Sequence, residues 1–192
     1  MLSAPDPDER KNQILQRSAN AAATALTSAG HTVQTIDLRT FSPVLTRLEM
    51  AAYVTDEPLI HEQTIEYAQA ILNCDVLILV YATTLSTLPP SLKGWLDRVL
   101  VPGVSFTLDG SGGTKRGLAG LDWIIGISVY TETWLATKRT YDNGRRILLR
   151  NLRLCARPGT RTAWLPLYTA TIANEARTSK FIRRIERRMA KL

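Results

Sequence analysis

The sequence holds little of what metal sites, disulfide scaffolds or membrane spans require. Its 192 residues include only two cysteines, Cys74 and Cys155, and two histidines, His31 and His61. They stand far apart, which excludes metal-ligand spacing and a disulfide framework. Both cysteines read as reduced core thiols, and the cytoplasm is then the default compartment. No apolar run approaches the roughly 20 residues of a membrane helix, so no integral membrane segment is expected. Leu77-Ile78-Leu79-Val80 and Trp123-Ile124-Ile125 are strand-length runs. The start, Met1-Leu2-Ser3-Ala4-Pro5-Asp6, has neither a basic residue nor an apolar stretch, so no signal peptide is expected. No repeat, linker or low-complexity tract breaks the chain, and its length fits one domain over residues 1–192.

What the chain does have is positive charge, +7 net, much of it near the end in Lys180, Arg183, Arg184, Arg187, Arg188 and Lys191. Phe181, Ile182, Ile185 and Met189 fall on one helical face there. The segment reads as a helix packed on a sheet, its arginines solvated near the end where the helix dipole favours cations. A nucleic-acid role is not expected, because no aromatic residues interleave with the basic ones.

Strand-type and helix-type segments alternate. Helices are predicted over residues 10–28, 56–73, 90–100, 143–154 and 174–191, with Pro58 tolerated in a first turn. Strands are predicted over 31–38, 75–81, 123–130 and 160–165. That alternation predicts an α/β fold, a doubly wound parallel sheet with helices on both faces. Ligands of such sheets sit beyond the carboxyl ends of the strands, which points to residues 82–89 and 128–134. One strand is short of residues: only Met1-Leu2-Ser3 precedes Ala4-Pro5-Asp6-Pro7, against the five or six of an ordinary strand. The first strand is therefore expected to be truncated.

Leu88-Pro89-Pro90-Ser91-Leu92-Lys93-Gly94-Trp95-Leu96-Asp97-Arg98-Val99 resembles the PAxLKGWxDRV signature of the NAD(P)H:quinone oxidoreductases in the flavodoxin-like superfamily. Val101-Pro102-Gly103-Val104-Ser105-Phe106 is similar to the PGxAF segment that follows it, Ala29 to Leu38 to the AGHEVxxxDL strand, and Phe41-Ser42-Pro43-Val44-Leu45 to FdPvL. The resemblance covers most of residues 4–165. It implies a flavodoxin-like sheet of order 2-1-3-4-5, a bound FAD or FMN, NAD(P)H as co-substrate, a quinone-like acceptor and a homodimer with flavin at the interface. The signature itself has a structural reading. Lys93 and Asp97 are placed to pair on a helix, Trp95 to bury a large surface, and Gly94 to let a neighbour approach.

The three cofactor loops that the resemblance implies depart from the family pattern. The first, HPxxxSFN in relatives, is Ala4-Pro5-Asp6-Pro7-Asp8-Glu9-Arg10 here, which puts Pro5, Glu9 and Arg10 at cofactor positions. Asp6, Asp8 and Glu9 make good helix-capping chemistry and a poor anion site, with Arg10 and Lys11 as partial compensation. The second, PxWWxxxPA in relatives, is Ala82-Thr83-Thr84-Leu85-Ser86-Thr87-Leu88-Pro89-Pro90, with Ala82 to Ser86 as backbone contacts and no tryptophan to stack. The third, TTxG, is Ser128-Val129-Tyr130-Thr131, where Thr131 replaces a glycine. Tyr130 stands as an aromatic wall or proton donor, or equally as a core-edge tyrosine. Asp109 to Lys115 lacks the spacing of a phosphate loop and reads as a surface connection. Two functions follow: a flavin-dependent oxidoreductase, and a non-catalytic relative with a degraded flavin site acting as a regulatory or interaction subunit.

Overall fold

The structure, a computed structural model, describes residues 1–3, 6, 8–108 and 113–192. Five parallel strands form the central sheet: β1 (Leu2–Ser3), β2 (Ile36–Asp37), β3 (Val76–Ala82), β6 (Trp123–Val129) and β7 (Arg161–Leu167), in the order β2-β1-β3-β6-β7. Renumbered as core strands this is 2-1-3-4-5, the expected doubly wound order. A separate hairpin joins β4 (Phe106–Leu108) to β5 (Thr114–Arg116). The Gly-rich stretch read as a surface connection lies mostly outside the described residues, although Thr114 and Lys115 belong to β5.

The long strands carry two buried faces. Leu77, Leu79 and Tyr81 of β3 pack with Tyr67, Ile71, Trp95, Leu148 and Leu152 on one side. Ile78, Val80 and Ala82 pack with Ile14, Leu15, Ala22, Phe181, Ile185 and Met189 on the other. Consecutive side chains of a strand point to opposite faces, so a continuous apolar run needs a helix layer on each side. Helices α1 (Glu9–Ser28) and α8 (Glu175–Met189) supply one layer. The other comprises α3 (Glu62–Leu72), α4 (Pro90–Val99), and α6 (Asn143–Arg146) continued by a π-helical segment (Ile147–Leu152) into α7 (Arg153–Cys155). Short helices α2 (Arg47–Ala52) and α5 (Trp134–Arg139) lie in connections.

The first strand is two residues long and bonded on both sides: Leu2 pairs with Ile36 and Leu79, Ser3 with Asp37 and Val80. Met1 extends the ladder, its ammonium donating to Gln34 O at 2.6 Å and its carbonyl accepting from Ile36 N at 2.8 Å. The expected strand over 31–38 is reduced to Ile36–Asp37, the two residues that pair with β1, since a ladder needs a neighbour. A groove of about 780 Å³ opens there, lined by Thr32, Gln34, Val76, Leu77 and Trp123 among others. The helix expected from residue 56 starts at Glu62, because Pro58 holds the residue before it extended and His61 takes the N-cap position.

The signature segment does structural work. Lys93 Nζ contacts Asp97 Oδ2 at 2.6 Å and Trp95 is buried. Gly94 faces the backbone of Pro43 with no room for a Cβ. Arg98, also buried, donates to Glu49 Oε1 at 2.7 Å and to Ser42 O at 2.5 Å, and its guanidinium lies 4.7 Å from the centre of the Phe41 ring. The chain itself engages two of the terminal arginines: Arg188 stacks on Trp123 at 4.1 Å, as does Arg161 of β7 at 4.3 Å, and Arg184 reaches Pro166 O.

Candidate functional site

The carboxyl ends of β1, β3, β6 and β7 bring four connections to one edge of the sheet. They are the lead into α1, residues 83–89, residues 130–133 and residues 168–174. This is where the sequence placed the ligand, and the general logic of doubly wound sheets does the same.

The connection after β3 is a tight hairpin. Thr84 and Thr87 exchange both backbone hydrogen bonds, at 3.1 and 2.9 Å, while Thr83 N donates to Val129 O. Leu85 and Ser86 turn the corner with φ of 48° and 57°, a left-handed pair that usually falls to Asn and Gly. Ala82 and Thr83 are buried, Thr84 is exposed, and Leu85 projects into solvent at 91% exposure. Ser86 ties the hairpin to the segment before α6, through Oγ to Thr140 Oγ1 at 2.7 Å and by accepting from Gly144 N. The amides of Leu85 and Ser86 keep no partner among the described residues.

The connection after β6 divides inside from outside. Ser128, Val129 and Tyr130 are fully buried; Thr131 is exposed. Tyr130 points into the protein, where its hydroxyl donates to Asp142 at 2.9 and 3.1 Å and its ring lies 4.8 Å from Tyr168. Burial, then the charge of Asp142, pushes the Tyr130 phenol far above its ordinary value. Burial likewise raises the Asp142 carboxyl, with the Tyr130 bond holding it back in part. Asp142 itself has a φ of 44° and caps α6. Tyr81 and Ser128 pair in register beside this couple, and the Ser128 hydroxyl offsets part of the rise of both phenols. Of the two sequence readings of Tyr130, this placement favours the core-edge tyrosine. The amides of Thr131 and Glu132 have no partner among the described residues, and Glu132 Oε2 is a buried oxygen with none.

At the start of α1, Asp6, Asp8 and Lys11 contact one another. Asp8 caps the helix, accepting from Lys11 N at 2.9 Å, while Asp8 N donates to Asp6 Oδ1 at 2.8 Å. Lys11 Nζ pairs with Asp6 at 3.0 Å and reaches Thr131 Oγ1 at 3.5 Å, joining the first connection to the third. Pro5, a predicted cofactor contact, lies outside the described residues. Glu9 and Arg10, the other two, line a cleft of about 540 Å³ between α1 and α8, where Arg10 donates to Ala173 O. The structure therefore brings together Thr83–Ser86, Thr131 and, through Lys11, Asp6, and it leaves Glu9 and Arg10 to one side. Asp142 and Glu132 went unnoticed in the sequence, because only the fold carries the α6 cap and the end of β6 to one place.

Two parts of a flavin would meet this edge differently. Four open amides and the apolar faces of Leu85 and Trp134 suit a flat ring with polar edges. The α1 terminus carries two carboxylates, Asp6 and Asp8, which accept from Asp8 N and Lys11 N and set negative charge beside the first turn.

The model of a family described by its flavodoxin-like fold matches residues 2–158. No curated protein matches the sequence. Among solved structures, Smu.1420 from Streptococcus mutans is 20% identical with a TM-score of 0.79, over 100% of this chain and 98% of that one. The NAD(P)H:quinone oxidoreductase from Methanothermobacter marburgensis is 19% identical with a TM-score of 0.78, over 98% and 95%. An FMN-dependent NADH-azoreductase from Bacillus anthracis, in complex with FMN, is 12% identical with a TM-score of 0.75, over 99% and 95%. At these identities the likeness is one of fold.

Proposed function

The chain belongs to the family of flavodoxin-like fold, and on that premise we propose that it is a flavin-dependent NAD(P)H oxidoreductase acting on quinone-like acceptors. The observation that carries this reading is the group of unpartnered amides at Leu85, Ser86, Thr131 and Glu132, on two adjacent connections at the ligand-binding edge. Buried or ligand-facing amides need acceptors, and a flavin ring supplies them along one edge. A bound flavin brings hydride chemistry; the chain's part is to orient the ring and keep water from it. On this reading the exposed Thr84 side chain meets the ring's polar edge and Leu85 its face, while Thr83, buried and bonded to Val129 O, anchors the hairpin. Tyr130 acts from behind, by holding the Asp142 cap.

Two neighbours named for NAD(P)H:quinone oxidoreductase and NADH-azoreductase activity support the class of donor and acceptor. A homodimer goes with the reading, since Leu85, Trp134, Leu135, Tyr141 and Ile172 are large apolar side chains left exposed around this edge. A cytoplasmic location goes with it too, given the free thiols of Cys74 and Cys155. No described helix is long and apolar enough to cross a membrane.

The acidic α1 terminus favours a second reading, a non-catalytic interaction subunit on the same fold. The visible spectrum separates the two. A flavin band that bleaches with NADH or NADPH and returns with a quinone upholds the oxidoreductase. Absence of any flavin uptake leaves the interaction subunit.

A further inference from the structure

The corner between α5 and α6 carries exposed charge of one sign. Lys138 and Arg139 end α5, and Arg145 and Arg146 end α6. All four are exposed, and none enters an ion pair among the described residues. From residue 133 to residue 149 the sole carboxylate is Asp142. It is buried and accepts from the Tyr130 hydroxyl and the Arg145 backbone N–H. No exposed carboxylate of this stretch balances the four cations. Like charges held together repel, and an anion bound among them relieves that.

The corner is bonded to the ligand edge. Thr140, next to Arg139, meets Ser86 Oγ at 2.7 Å, and Gly144, next to Arg145, donates to Ser86 O at 3.3 Å. Two of the cations thus each stand one residue from a contact with the hairpin after β3. Tyr141 lies between these contacts, with a φ of 65° and a ring 71% exposed, 6.0 Å from the Arg146 guanidinium. A bulky residue in the left-handed region is strained, and strain of this kind collects at binding sites. An open aromatic face stacks a nucleobase, and guanidinium groups bind phosphate through charge-assisted bonds. The flavin ring serves donor and acceptor alike, but the donor alone extends a nucleotide beyond it.

We infer that the α5–α6 corner holds the phosphorylated adenosine of NADPH, with Tyr141 under the adenine and Arg139, Arg145 and Arg146 around the 2′-phosphate, so that this chain prefers NADPH to NADH. The inference rests on the oxidoreductase reading above and narrows its donor. The other exposed apolar side chains of the edge, Leu85, Trp134, Leu135 and Ile172, are left to the flavin ring and to a second copy.

Calorimetric titration with adenosine 2′,5′-bisphosphate and with adenosine 5′-monophosphate tests the corner without any flavin. The bisphosphate is expected to bind about tenfold tighter, the scale of one charge-assisted bond. The triple variant Arg139→Gln, Arg145→Gln, Arg146→Gln should bring the two to within about twofold. Tyr141→Ala should weaken both alike, by about tenfold. Arg183→Gln with Arg187→Gln, two exposed cations of α8, should leave the preference unchanged. Equal binding of the two nucleotides to the unaltered protein, or no binding of either, would overturn the inference. So would a preference that the triple variant keeps, or one that the α8 variant loses equally, since net charge would then be its source. The visible spectrum tests the oxidoreductase reading separately. A flavin band that bleaches equally well with NADH and NADPH would overturn the inference and leave that reading standing. A bisphosphate preference relaxed by the triple variant, in a protein that takes up no flavin, would uphold the adenosine site and overturn that reading. Far-ultraviolet circular dichroism checks each variant, and the single exposed Arg139→Gln, expected to narrow the preference, decides the matter if the triple variant fails to fold.

Discussion

Pro43 lies against the bare α-carbon of Gly94, so closely that a Cβ on residue 94 would enter the space of Pro43 Cα and its carbonyl oxygen. Two sequence segments that resemble family patterns, one in a loop and one on α4, thus meet through a missing side chain. Backbone atoms cannot rotate away as a flexible side chain can. Gly94→Ala should therefore destabilise the protein by about 1–3 kcal/mol despite the better helix propensity of alanine. Thermal denaturation measures this, and an unchanged or raised Tm would show that the loop moves freely off α4.

Arg98 and Glu49 form the charged half of the same clasp, both buried. Arg98→Met leaves Glu49 without its partner and should cost about 3–5 kcal/mol. Replacing both with apolar residues should cost clearly less, and a double-mutant cycle reads the coupling. If the two single losses simply add, the pair contributes nothing as a pair.

The same carboxylate sets a pH dependence. Burial raises the Glu49 carboxyl, but the Thr46 N–H and Arg98 outweigh it and hold it below its ordinary value of 4.5. A depressed folded value means that the contribution is present above the ordinary value and is lost as pH falls through the depressed one. Denaturant midpoints should thus drop below about pH 4.5, and Glu49→Gln should flatten that part of the curve.

Asp142 should behave in the opposite sense. Its folded value is raised above the ordinary 3.8, mainly by burial. Its contribution is present below 3.8 and is lost as pH rises through the raised value. Asp142→Asn keeps an acceptor for Tyr130, a capping side chain and tolerance of the left-handed backbone. Relative to the unaltered protein, the variant should gain stability between pH 3 and pH 7. Asp142→Ala should instead lose about 1–3 kcal/mol at either pH, since the Tyr130 hydroxyl stays buried without a partner. A Tyr130→Phe substitution that leaves the Asp142 titration unmoved would refute the coupling.

Leu85 and Ser86 hold left-handed backbone angles without being glycine or asparagine. Leu85→Asn should raise stability by about 0.5–1 kcal/mol, because asparagine tolerates that region better. A higher Tm with unchanged flavin affinity would mark the leucine as incidental. A higher Tm with weakened affinity would mark its exposed side chain as a contact to the ring.

The sequence by itself determined the sheet and its two covering layers. Continuous apolar runs at Leu77–Ala82 and Trp123–Val129 can be satisfied only by helices on both faces, and the local pattern carries that information. It also located Gly94 and Trp95 as packing residues and the acidic start of α1 as a capped helix end. Tertiary structure decided what depends on neighbours. The segment from His31 is strand only at Ile36–Asp37, where β1 lies alongside. Tyr130 faces inward because Asp142, on a different element, receives its hydroxyl. Glu9 and Arg10 turn toward α8 while Lys11 reaches Thr131. One residue of helix rotates a side chain by about 100°, so which of three consecutive residues meets the ligand edge is fixed by how α1 seats on the sheet and by nothing local to its sequence.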